Sequence, residues 1–217
     1  MSTAIEEMHE LEPHIRVGRA RAAVIMLILS DALSVFAILA AGGYLSALNV
    51  SGQFRGGDPA PPFLPGLFVA IALVLSGVIY YLWERTARHD RGPRGGGQIE
   101  TNSLPHAMHA PRELKGRPVF LILTLLLMVV GLAIQIGIGA SLRYGTPLHA
   151  YASEILLITW FTAVHLLLAA FIGLLVLGRL FRGRLAGFGY IPEAVGYWWY
   201  YTVVASVLLW LFILFLG

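Results

Sequence analysis

Five charge-poor apolar runs alternate with stretches that collect most of the charge in this 217-residue chain. They cover about 22–48, 66–83, 118–142, 153–178 and 194–217. A helix needs about 20 predominantly apolar residues to cross a bilayer, and each run comes close to or exceeds that length. The pattern predicts an all-α, polytopic membrane protein. Its single five-span membrane domain occupies 22–217 and follows a short N-terminal tail, 1–21.

The intervening segments read as turns and loops. Asn49 to Pro65 includes Asp58-Pro59-Ala60-Pro61-Pro62, where fixed backbone torsions and missing amide donors stop a helix. Tyr80, Tyr81 and Trp83 close the second run with aromatic rings of the kind that favour a membrane interface, and Glu84-Arg85 is expected to return the chain to water. The connection 85–117, with Gly95-Gly96-Gly97, reads as a flexible loop. Small residues in the third run, Gly131, Gly137 and Gly139 among them, allow helices to approach closely. The aromatic run Tyr197 to Tyr201 opens the last helix.

Basic residues fix an expected orientation. The tail holds three, the first loop one, the second seven, the third one and the fourth three, with none at the C-terminus. Lys and Arg accumulate on the cytoplasmic side, so the N-terminus is expected inside and the C-terminus outside.

Composition agrees with this picture: 58% of residues are hydrophobic and only 12% charged, and the mean hydropathy is +0.75. A net charge of +3 spread over loops does not make a nucleic-acid stripe. Without cysteine there is no disulfide framework, thiolate metal site, iron–sulfur cluster or haem attached through C-x-x-C-H.

Two ionisable side chains interrupt the apolar runs at depth. Counting about 1.5 Å per residue from Arg21 puts Asp31 some 15 Å into the first span, near the midplane. His165 reaches a similar depth when the fourth span, which starts beside its single charge Glu154, is counted from Tyr151. A mid-span carboxylate costs at least about 2.5–3.5 kcal/mol on insertion scales, so Asp31 requires a polar neighbour, a proton or water. Either the two form a pair whose proton position responds to its surroundings, or they make a polar clasp that orients helices and moves no proton. Gln135 is a secondary candidate clasp. His106 and His109 have metal-compatible spacing but no further ligand nearby. His165 is the only histidine within a span, too few for a membrane haem with two axial ligands.

An ordered set of residues resembles subunit III of the haem–copper respiratory oxidases. Tyr151-Ala152-Ser153, Thr159, Phe161 and His165 are similar to that family's Y-G-S … T-G-F-H-G-L-H run, and Arg179 follows at the position of a family basic residue. Glu193-Ala194, Trp199 and Gly217 resemble its ending, while Arg21 and Ser30-Asp31 resemble the arginine and intramembrane carboxylate of a family helix. Leu64-Pro65, Ser76 and the Gly131 to Gln135 spacing fit more weakly. The chain departs from the family at Thr162, Tyr200 and Val203, where the family has two histidines and an aspartate.

The resemblance implies a shorter five-helix bacterial form: an accessory subunit without a catalytic site of its own. It would pack on the catalytic subunit I and other membrane subunits, and support assembly, lipid retention and proton uptake. It implies that the chain binds no haem or copper itself, these residing in partner subunits, and that Arg21 and Arg179 are candidate contacts for phospholipid phosphate. The alternatives are a small proton-coupled transporter and a membrane scaffold of another respiratory complex.

Overall fold

A computed structural model describes residues 13–49, 54–55, 58, 60–89, 117–142, 149–182 and 190–216. The apolar runs lack interior prolines, and without water in hydrocarbon each segment must satisfy its own backbone groups, which a helix does. Five helices result: α1 (Pro13–Ala47), α2 (Phe63–His89), α3 (Arg117–Ser141), α4 (Ala150–Phe181) and α5 (Ile191–Leu216). All five are long and apolar enough to cross a membrane, the make-up of a multi-pass membrane protein. Proline is confined to first turns, where a missing amide hydrogen costs nothing: Pro13, Pro65, Pro118 and Pro192.

The helices outrun the apolar segments. α1 begins at Pro13 and not at Ala22: Pro13 suits a first helical turn, and Arg16, Arg19 and Arg21 are good helix formers that carry the helix into the apolar run. α2 likewise continues to His89, so the helix does not stop at Glu84-Arg85. Glu84 is only 5% exposed, and Tyr80 and Trp83, expected at an interface, are fully buried in the core, Tyr80 against Trp199 and Tyr200 of α5 and Trp83 against Tyr80. Of the three aromatic residues only Tyr81 faces outward. The expected loop 85–117 is thus helical as far as His89. Its remaining residues 90–116, with Gly95 to Gly97, His106 and His109, lie outside the described residues, as do 1–12 of the tail and Gly217.

α3 packs between α2 and α4, and α5 touches α1, α2 and α4. One core, with Leu73, Leu121, Met128, Leu166 and Trp199, fills the space among α2, α3, α4 and α5. A second, with Val35, Ile38, Ile155, Leu209 and Ile213, joins α1 to α4 and α5. Close approach depends on selected glycines. A β-carbon on Gly131 would touch Leu73 at 3.4 Å and one on Gly139 would press on Trp160 at 3.2 Å, whereas Gly137 faces open space.

The chain after α1 folds back onto the start of α4. The Phe54 carbonyl accepts the Tyr151 backbone N–H at 3.3 Å, and the two rings meet edge to face at 5.7 Å. That contact supplies one of the amide acceptors that a helix start lacks internally.

Candidate functional site

Four consecutive side chains of α5 build the polar centre of the bundle. Successive helical residues point about 100° apart, so Trp198, Trp199, Tyr200 and Tyr201 fan towards different neighbours. Trp198 stacks on His165 of α4 with ring centroids 5.9 Å apart. The Trp199 indole N–H donates to Ser76 Oγ of α2 at 2.9 Å, while its ring stacks on Tyr80 at 5.1 Å. Tyr200 donates its hydroxyl to Glu84 Oε2 of α2 at 2.7 Å, and Tyr201 donates to Asp31 Oδ2 of α1 at 2.5 Å.

Asp31 and His165 come together. His165 Nε2 lies 2.9 Å from the same Asp31 Oδ2 that receives the tyrosine, and the two side chains are 12% and 18% exposed, His165 and Asp31 respectively. The other ring nitrogen, Nδ1, lies 2.8 Å from the Phe161 carbonyl oxygen. A carbonyl only accepts, so Nδ1 carries a hydrogen. The short contact between Nε2 and Oδ2 then needs a second hydrogen, held by the ring or by the carboxyl group. In either arrangement the pair has no net charge, the state that is least costly inside a membrane. Phe161 covers one side of the imidazole at a centroid distance of 4.3 Å.

Glu84 forms a second buried carboxylate centre. Gly196 makes room for it, since a β-carbon there would stand 3.0 Å from Glu84 Oε2. Beside it the Tyr80 hydroxyl donates to the Pro192 carbonyl at 2.8 Å, which secures the first turn of α5 to α2. A third carboxylate, Glu154, is buried near the opposite end of α4 against Gly42 and Phe212, and its Oε1 has no hydrogen-bond partner.

The remaining candidates lie apart from Asp31 and His165. Gln135 donates through Nε2 to the Thr159 carbonyl at 3.2 Å and so ties α3 to α4. Arg21 forms an ion pair with Glu193 at 2.8 Å, with its side chain 47% exposed. Glu193 also accepts the Tyr197 hydroxyl at 2.7 Å. Arg179 is exposed in the last turn of α4.

Chemically the centre is suited to holding helices and one proton. Among the described residues no three His, Cys, Asp or Glu side chains group as metal ligands, and Asp31 with His165 provides two donors where zinc takes three or four. Sequence reasoning missed Tyr201 and Glu84: Tyr201 lies about ten residues into α5, at a depth where a phenol needs a partner, whereas Glu84 follows the end of an apolar run and carries no such signal. Compared with known proteins, the chain matches no protein-family model and no curated protein.

Proposed function

We propose that this chain is an accessory, non-catalytic subunit of a bacterial haem–copper oxygen reductase, similar to subunit III. In this reading it lies in the plasma membrane with its N-terminus inside and its C-terminus outside, and packs on the catalytic subunit that holds haem and copper. One observation carries the reading: the residues behind the resemblance pair with one another across helices. Asp31 meets His165, Arg21 meets Glu193, Trp199 meets Ser76, and Gln135 meets the Thr159 carbonyl. A chance scatter of matching residues along five helices has no reason to converge in this way. The site's chemistry favours the same role, because Asp31, His165 and Tyr201, Trp199 and Ser76, and Tyr200 and Glu84 pair across helices and fix helix positions. Arg179 is exposed at a helix end and has no acidic partner among the described residues, which suits it to lipid phosphate, while Arg21 divides its charge between Glu193 and its surroundings.

The test is purification of the tagged full-length chain from its own membranes, followed by haem spectroscopy and a mass-spectrometric inventory of what accompanies it. Haem-bearing subunits are expected in the complex. Asp31→Ala is expected to lower the yield of intact complex without altering haem absorbance per complex. A purified assembly without haem would overturn the proposal. Proton uptake by vesicles containing this chain alone would favour the transporter.

A further inference from the structure

One stripe of α5 is unlike the rest of the bundle. Trp198, Thr202, Ser206 and Trp210 are spaced four residues apart and therefore share one helix face. Each carries a polar atom that meets no protein partner among the described residues. The Trp198 Nε1 and Thr202 Oγ1 atoms are buried and unpaired, in side chains 5% and 0% exposed. The Ser206 hydroxyl and the Trp210 indole N–H likewise lack protein hydrogen bonds.

The last two residues line a cavity of about 30 Å³ among α2, α3, α4 and α5, which begins beside Pro61 and Pro62. Gln135 and Thr162 line it as well. The Thr162 hydroxyl is unpaired, and Gln135 uses its amide nitrogen on Thr159 but receives nothing at its amide oxygen.

Buried polar groups in folded proteins are nearly always paired, with protein or with ordered water. Several failures on one helix face, next to a polar-lined cavity, have one economical explanation. We propose that this face lines an internal file of water, running from the Pro61–Pro62 end of the bundle to the Trp198 indole beside His165. The cavity holds about two waters, since each needs roughly 10–15 Å³ of such volume. It is too small for a lipid chain or a quinone ring. Below it, side chains four apart on a helix stand about 5–6 Å from one another, which one water spans by bonding both at about 2.8 Å. Water is thus the ligand, and Gln135, Thr162, Thr202, Ser206 and the two indoles are its binding groups. The file is independent of which complex the chain joins.

Exchange of indole hydrogens with D₂O reads the file directly. The full-length chain, labelled with ¹⁵N-tryptophan and held in lipid nanodiscs, contains its own control, because the Trp199 indole is bonded to Ser76 in the dry core. The Trp198 indole is expected to exchange at least about tenfold faster than that of Trp199. Thr202→Val with Ser206→Val removes both hydroxyls and should slow Trp198 by about tenfold, leaving Trp199 unchanged. Thr202→Val alone keeps the side-chain shape, and should slow Trp198 in the same direction if the double variant does not fold. A Trp198 indole as protected as that of Trp199 would overturn the proposal. So would rapid exchange that the valine variants leave untouched, since water would then arrive by another route.

Discussion

Substituting Asp31 two ways separates a clasp from a charge that must be kept. Asp31→Ala removes the acceptor shared by Tyr201 and His165, and so deletes two contacts at once, of 2.5 Å and 2.9 Å. Polar contacts between membrane helices are each worth about 0.6–1.7 kcal/mol, so the loss should be about 1–3 kcal/mol. Asp31→Asn is different. The His165 ring already donates through Nδ1 to Phe161, so a neutral ring has a lone pair at Nε2 that an asparagine N–H can fill. The phenol can then accept the second amide hydrogen, and at most one favourable contact is lost, about 1 kcal/mol or less. Reversible unfolding in mixed detergent micelles, followed by tryptophan fluorescence, measures both. Asparagine is expected to recover most of what alanine loses. A double-mutant cycle of Asp31→Ala with Tyr201→Phe should show coupling of about 0.6–1.7 kcal/mol. If asparagine proved as damaging as alanine, the exchange of the bridging proton would matter, and the clasp account would fail. Strict additivity in the cycle would show that the tyrosine contact carries nothing.

Other substitutions test the packing and the outer contacts. A β-carbon on Gly173 would stand 2.6 Å from Leu125 and 2.9 Å from Trp199, so Gly173→Ala should lower the unfolding midpoint by about 1–3 kcal/mol of overpacking. Gly137→Ala, with nothing within 4 Å, should instead be neutral or gain up to about 1 kcal/mol of helix stability in the same assay. Arg21→Ala breaks a largely exposed ion pair and should cost no more than about 1 kcal/mol, less at high salt, by unfolding at two ionic strengths. Tyr200→Phe leaves Glu84 short of a donor at a buried site and should cost about 1–2 kcal/mol, whereas the paired change with Glu84→Leu should cost less than the sum of the two single changes.

The number of helices was legible because hydrocarbon leaves a spanning chain almost no alternative, so apolar length alone decides. The level of Asp31 and His165 relative to each other was legible too: counting from Arg21 and from Tyr151 set them side by side, and in the structure their side chains meet. What composition could not reveal was direction around a helix. Tyr80 and Trp83 have the residue types of an interface belt, yet they are buried in the core, while Tyr81 between them faces out. Glu84 beside Arg85 has the appearance of a helix exit, yet α2 continues five residues beyond it, to His89, and a tyrosine donates to its carboxylate. Tyr201 sits in an aromatic run, and a phenol says nothing in sequence about the carboxylate it serves. Each miss concerns a contact between helices that are distant in the chain, which no single apolar run encodes.

The placement of α1 shows why those contacts matter. Only 11% of its span is buried, against 33–44% for the other four helices. Lipid tails are as apolar as leucine, so burying such a helix against its neighbours gains little from the hydrophobic effect. Its position must then come from geometry and polar pairing. Three features supply it along one side of α1: Arg21 on Glu193, Asp31 on His165 and Tyr201, and Gly42, where a β-carbon would come within 2.8 Å of Glu154 and Phe212. The first is exposed and weak, and the third fixes distance without attracting. The Asp31 centre is therefore the main attraction holding α1, and its loss should loosen the whole helix from α4 and α5 and not merely one side chain. A larger Gly42 residue, by contrast, should displace only the far end of α1 and leave the Asp31 contacts made.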